Sequence, residues 1–371
     1  MPSKAMTHRE RFLATMRFKP VDRPFYRPVP IGFWMSTYKK WRSEGHIKDA
    51  ENYWDVSDSL GFDPMRYTDV GFGLCPAFKT EILEDDGTFV TYVNHEGIKM
   101  REYKQGNDMS MPEFLDFPVK AAEDFRALLP RLQLNEAERF PADWPAKCAA
   151  WAGRDVPLGM GGDRYGGFYG PLRNYMGMEG LAFAYHDDPA LVGEMVENRV
   201  ELMLAVIERA LRETTIDWFI FWEDMCYNHA SLISPALFRK HMSPAYKKVT
   251  DFLRSKGVDV IFVDSDGHVD ELIPLWLDAG VNGVYPMEVQ SGSDVVRYRS
   301  EYGKELLMIG GIDKKALLGD RKDVLGEILR VAPVVERGGY IPGIDHSVPP
   351  DVTFEMLTYY MKEMRSAFWA G

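Results

Sequence analysis

The sequence predicts an α/β fold built of repeated βα units, and three observations predict it. First, from residue 218 onward, apolar runs dense in β-branched and aromatic residues alternate with helical patterns, the signature of parallel strands joined by crossover helices. Second, five of those runs deliver an acid at the same end. Trp218–Trp222 leads into Glu223-Asp224, residues 258–263 into Asp264-Ser265-Asp266-Gly267-His268, and Gly283–Met287 into Glu288. Residues 306–312 lead into Asp313, and Tyr340–Ile344 into Asp345-His346. A strand buried on both faces has no room for a carboxylate, so the chain leaves the core at these points, at the carboxyl edge where parallel folds build their sites. Third, 371 residues with 46% hydrophobic content suit one elaborated α/β barrel. No low-complexity or charge-block linker divides residues 1–371, so a single domain is expected.

The elements follow in order. Thr7-His8-Arg9-Glu10 is a capping box that opens a helix with Phe12, Leu13 and Met16 on one side, and Pro20-Val21-Asp22-Arg23-Pro24 ends it. Residues 25–31 are the first expected strand, with their prolines counting against it. Gly32-Phe33-Trp34-Met35 opens a polar-aromatic stretch to Trp41, and residues 48–61 read as a helix closed by Gly61. Near 78–103 the pattern turns antiparallel. Asp86-Gly87 is a hairpin turn and Gly97 a second one, which gives an inserted β-meander. Residues 104–152 read as proline-punctuated loops and short helices, and 156–162 as a further strand. The loop that follows, from Gly161 and Gly162 to Pro171, is rich in glycine and aromatics. Its glycines, with Arg164 and Arg173 nearby, could cradle an anionic group, although any mobile loop has this composition and the spacing is not a dinucleotide fingerprint. Residues 188–213 carry helical periodicity, and Ser234-Pro235 begins a helix expected over 235–256.

Charge and cysteine usage exclude several classes. Against 56 acids stand 44 bases, a net charge of −12, which argues against nucleic acid or an anionic membrane as partner but allows a local basic cluster. Cys75, Cys148 and Cys226 stand far apart without a CxxC, so neither a disulfide scaffold nor a thiolate zinc knuckle is indicated. The start has no apolar signal core, and no apolar run approaches the roughly 20 residues that span a bilayer. A cytoplasmic protein is expected.

Several segments together resemble the uroporphyrinogen decarboxylase superfamily, which includes the decarboxylase and corrinoid-dependent methyltransferases. They are the opening Arg9-Glu10-Arg11-Phe12 through Pro24, then Gly170-Pro171-Leu172-Arg173-Asn174-Tyr175-Met176-Gly177, then Trp222-Glu223-Asp224 with Leu232-Ile233-Ser234-Pro235. Gly310-Gly311-Ile312-Asp313, Gly338-Gly339-Tyr340-Ile341 and His346-Ser347-Val348-Pro349-Pro350 complete the series, whose order spans nearly the whole chain. The resemblance implies a (β/α)8 TIM barrel. It matches Tyr175 and His346 to the decarboxylase's tyrosine and histidine, and sets Asp69 near its aspartate. Two departures bear on activity. Where the decarboxylase carries an arginine-rich glycine loop for substrate carboxylates, residues 29–35 read Val-Pro-Ile-Gly-Phe-Trp-Met. Where the thiol-methylating branch holds zinc with His-x-Cys, this chain reads Asp264-Ser265-Asp266-Gly267. The resemblance therefore implies a methyltransferase that takes a methyl group from a small donor, such as a methyl ether, and passes it to a corrinoid (cobalamin) on a partner protein. A porphyrinogen decarboxylase and a non-catalytic corrinoid-binding protein are the alternatives, and a homodimer is admitted.

The candidate catalytic set is Asp264, Asp266, His346, Glu223, Glu288 and Tyr175, with Gly161, Gly162 and Arg164 as candidate corrinoid contacts. Asp264, Asp266, Glu288 and His346 could hold a divalent metal such as zinc through oxygen and nitrogen. The same acids could instead cap helices, with His346 bonded to a carboxylate. Crowded acids need either a cation or raised pKa values, and either leaves a cluster able to protonate a leaving oxygen. Phe33, Trp34, Tyr165, Phe168, Tyr169 and Trp222 could line an apolar pocket or simply pack in the core.

Overall fold

The capping box forms: Glu10 N donates to Thr7 Oγ1 at 3.1 Å, and Thr7 N to Glu10 Oε2 at 2.8 Å. The helix it opens, His8–Met16, buries Phe12 and Met16. In this computed structural model the described residues are 5–48, 50, 52–104 and 111–369. The first four residues of the start, residues 49 and 51 of the helix expected over 48–61, and 105–110 of the loop stretch lie outside them.

The strands are β1 (Arg66–Tyr67), β2 (Glu81–Asp85), β3 (Phe89–Val93), β4 (Lys99–Tyr103), β5 (Glu113–Asp116), β6 (Leu158–Gly161), β7 (Trp218–Trp222), β8 (Ile261–Asp264), β9 (Gly283–Met287), β10 (Leu307–Ile312) and β11 (Tyr340–Ile344). Seven of them form one parallel sheet in the order β1-β6-β7-β8-β9-β10-β11. Alternation along the strands separates two apolar layers. Trp218, Ile220, Phe262, Leu307, Ile309 and Ile341 gather on the inner face with Phe12, Met16 and Phe25. Phe219, Phe221, Ile261, Val263, Met308 and Tyr340 face outward against helices such as Pro189–Leu211, which Asp188 caps as the periodicity predicts.

A (β/α)8 barrel needs an eighth strand between β11 and β1. Residues 25–31, expected to be a strand, occupy that place without forming one. Pro24, Pro28 and Pro30 have no N–H to give a ladder. Single bonds hold the segment instead: Asp63 N donates to Tyr26 O at 2.7 Å near β1, and Ile344 N to Pro28 O at 3.0 Å on β11. The segment lies so close to β11 that a Cβ on Gly343 would sit 2.6 Å from Pro30 Cγ and 2.8 Å from Arg27 O. Gly343→Ala is expected to lower stability by about 1–3 kcal/mol, an overpacking cost that urea unfolding would measure.

Two helices differ from expectation. Over 48–61 only a 3₁₀ turn, Tyr53–Asp55, and a helical turn, Val56–Ser59, form among the described residues. The helix expected over 235–256 is broken into Pro235–Leu237, a π segment Phe238–Met242, and Ser243–Ser255. Pro244 explains the break, because its ring removes an N–H and crowds the preceding turn, which widens to accommodate it. The meander forms as an antiparallel sheet in the order β2-β3-β4-β5, with Gly87 at φ +88° in the predicted turn. Its fourth strand, β5, was not expected.

Candidate functional site

Parallel order brings the ends of β7, β8, β9, β10 and β11 to one edge of the sheet. Asp264 follows Phe262 by two residues and so shares its inward side. Asp224, Asp264 and Asp266 each place a carboxylate oxygen within 4.8 Å of the others, and Asp266, Glu288 and His346 form a second group of the same kind. Asp266 belongs to both. His346 Nε2 lies 3.4 Å from Asp266 Oδ2, and His346 Nδ1 accepts the Ser347 N–H at 2.8 Å. That bond leaves the ring proton on Nε2, facing Asp266. Glu288 accepts from Gly267 N at 2.9 Å and lies 4.0 Å from Lys314 Nζ.

Crowding sets the protonation of these groups. Burial, then the charges of Asp224 and Asp266, hold Asp264 well above the ordinary carboxylate range. Burial and Asp266 push Asp224 up to about 6, against the pull of Arg173. For His346, burial alone would lower the pKa, but the bond to Asp266 and its charge raise it overall. The mouth of the sheet therefore keeps carboxylic protons near neutral pH.

Asp224 makes a stability test. The folded chain holds its proton from the ordinary value of 3.8 up to about 6, while the unfolded chain has already released it. Stability contributed here falls as pH rises through that window. Asp224→Asn should therefore be more stable than wild type by about 1–3 kcal/mol at pH 7, and the difference should vanish near pH 3.5 in parallel urea titrations.

Not every candidate joins the cluster. Glu223 is fully buried on the outward side. It accepts from Phe168 N and Gly170 N, both at 2.8 Å, and from the Tyr246 hydroxyl, which fixes the start of helix Tyr169–Asp187. Tyr175 packs in the core against Phe125 and Tyr165, away from the acids. Gly161 and Gly162 take φ +91° and +79°, and a Cβ on Gly161 would lie 2.1 Å from Ile220 O. Their small size is thus required by contact with β7. Arg164 bonds Glu96 at 3.1 Å, and both it and Arg173 lie over the Trp222 ring. The loop is not loose: Tyr165, Gly166, Gly167 and Phe168 are buried. Asp313 caps the next turn through Lys315 N, and Asp345 accepts from Val289 N and Lys314 N.

Sequence reasoning passed over Asp224 in favour of its neighbour. The signal was parity. With Ile220 inside and Phe221 outside, Asp224 falls on the inner side and Glu223 on the outer. Asp224 has φ +43°, and the Arg173 guanidinium, bonded to its carbonyl, helps hold it there.

A cavity of about 670 Å³ opens within the sheet, and Arg27, Tyr67, Trp218, Ile220, Tyr285 and Ile309 are among its walls. Of the six aromatic residues expected in a pocket, Phe33 lines this one. Phe168 and Tyr169 are core, and Tyr165 borders a separate cavity of about 500 Å³. Although residues 29–35 carry no arginine, Arg27 and Arg66 both reach the larger cavity from either side of that stretch. Asp264 pairs in register with Tyr285, so it stands beside the aromatic wall.

A curled parallel sheet with helices outside, acids at its carboxyl edge and a cavity within defines an α/β protein of the barrel-like kind. Residues 177–367 match the uroporphyrinogen decarboxylase family, and the chain belongs to it. A methyltransferase from Methanosarcina mazei is similar in structure, with a TM-score of 0.61 and 15% sequence identity over 98% of each chain. At that identity the likeness is one of fold. No curated protein matches the sequence. Among the described residues no helix is long and apolar enough to cross a membrane.

Proposed function

We propose that this family member is an enzyme of the methyltransferase type, moving a methyl group from a small methylated donor, a methyl ether in the first instance, to a corrinoid carried by a partner protein. The observation that supports this reading is the acid cluster Asp224-Asp264-Asp266, whose Asp264 is in register with Tyr285, a wall of the aromatic-lined cavity. An ether is a poor electrophile because its alkoxide leaves badly. As the methyl–oxygen bond breaks, the electron pair stays on oxygen, and a proton from Asp264 or Asp224 turns the leaving group into an alcohol or phenol. His346, protonated at Nε2 and facing Asp266, can return a proton to the cluster. The corrinoid would supply the nucleophile that accepts the methyl group. Asp266, with 44% of its side chain exposed, leaves the cluster open to a group approaching from outside.

Asp266, Glu288 and His346 are close enough to hold a divalent metal such as zinc, which would polarise the same leaving oxygen, and His346 would give up its Nε2 proton to bind it. The protonation route uses no metal.

The second reading, decarboxylation of a porphyrinogen, is favoured by the family's name and by Arg27 and Arg66 at the cavity. One experiment separates the two. Purified protein is given free cob(I)alamin with methylated ethers, amines and thiols, and separately uroporphyrinogen. Methylation of cobalamin by at least one donor is expected. Coproporphyrinogen formed at a rate within about tenfold of a true decarboxylase would replace this reading with the second, and methylation by none of the donors would remove it.

A further inference from the structure

Arg27 is a half-buried cation whose donors are largely unmet by protein groups. A guanidinium carries five N–H groups. Among the described residues Arg27 makes one hydrogen bond, from Nη1 to Asp63 O at 3.3 Å. The Asp63 carboxylate is already taken by Arg23, by Tyr26 N and by the His8 ring. The other basic groups at the cavity have acids of their own: Arg66 binds Asp58 at 2.6 Å, and Lys147 binds Asp69. Buried arginines elsewhere are each held by several backbone carbonyls, although Nε of Arg199 and of Arg299 finds no partner among the described residues. Arg139 donates to the carbonyls of Gln133, Gly71, Gly73 and Arg131, and Arg299 to those of Gly303, Leu306 and Gly339. A cation facing a cavity with no acid bound to it has its donors free for a ligand that brings an anion.

The rest of the cavity limits what that ligand is. Tyr67 and Trp218 stand with ring centroids 5.0 Å apart, and Tyr285 forms a further wall over Ile220 and Ile309. These are flat, apolar surfaces suited to a ring. Tyr67 and Tyr285 each lie within electrostatic reach of both Arg27 and Asp264. The cavity therefore has a cation on one wall and aromatic faces around it, and Tyr285, in register with Asp264, connects it to the acid cluster.

We propose that the methyl donor is an aromatic methyl ether bearing a carboxylate, with Arg27 binding the carboxylate and the methylated oxygen directed toward Asp264. This rests on the methyltransferase reading for the identity of the reacting group, but the carboxylate preference is tested by binding alone. The probes are 4-methoxybenzoate, its methyl ester, and methoxybenzene, titrated calorimetrically into the full chain. The acid should bind about 10–100-fold more tightly than the ester, as expected for charge-assisted hydrogen bonds. Arg27→Met should abolish that preference, and Arg27→Lys should restore part of it, since lysine gives charge without the planar fork. Equal binding of acid and ester to wild type, or a preference unchanged in Arg27→Met, overturns the proposal. Should Arg27→Met fail to fold, the wild-type comparison and Arg27→Lys still decide it. Demethylation of uncharged ethers with acids ignored would leave the methyltransferase reading standing and remove this one. Tight binding of the acid without methyl transfer from any donor would support this one and remove the other.

Discussion

Asp264→Asn is expected to slow methyl transfer to cob(I)alamin by about 10²–10⁴-fold, the usual contribution of a positioned proton donor. The amide keeps the shape of the carboxylic acid but cannot release a proton to the leaving oxygen. Stability should be unchanged or higher above pH 4. In wild type, burial and two neighbouring acids hold Asp264 well above its ordinary pKa, which costs the fold stability once the unfolded chain ionises. A variant that loses activity while keeping or gaining stability would mark Asp264 as a group kept for chemistry. The wild-type rate should also fall as pH rises and the cluster loses its protons, and Asp264→Asn should flatten that limb. A variant as fast as wild type, with the same pH profile, would remove Asp264 from the mechanism.

The second large effect is on stability. Glu223→Ala removes the acceptor for two buried backbone N–H groups and the Tyr246 hydroxyl. Each of the three stranded donors costs about 1–3 kcal/mol, so a total loss of about 3–9 kcal/mol is expected. For a chain of this size that lowers Tm by about 4–12 °C. Glu223→Gln keeps the volume but one fewer acceptor position, and should fall between the two. Because Glu223 faces away from the acids, the fraction that stays folded should keep its turnover number. A large fall in turnover without loss of stability would contradict the outward placement of this carboxylate.

These two residues also show what was legible in the sequence. The edge at which the acids gather could be read directly, because an apolar run that ends in a carboxylate has to leave the core there. Which acid of an adjacent pair faces inward also follows from strand alternation, once one inner residue such as Ile220 is known. The amino acids alone gave no anchor for that parity, so Glu223 stood in for Asp224. Tyr175 carried a motif resemblance but no periodicity that would have separated core from cavity. Arg27 was hidden for another reason. Its segment reads as a poor strand, and only the path of that segment between β1 and β11 brings the guanidinium to the cavity. The glycines at 161 and 162 were read as a cradle, yet the same composition follows from the need to clear the Ile220 carbonyl.

The proline-bearing segment at residues 25–31 has one more consequence. Between β10 and β11 five residue pairs are in register, whereas each side of this segment is tied by isolated bonds. A curled sheet opens first where its edges are most weakly tied. Solvent deuterium should therefore reach the amides of Asp63 and Ile344 well before those of Phe219 or Val263 in the middle of the sheet. The wall beside Arg27 would then be the part that parts and recloses while the rest stays shut, so small molecules could pass sideways through it even with the mouth covered.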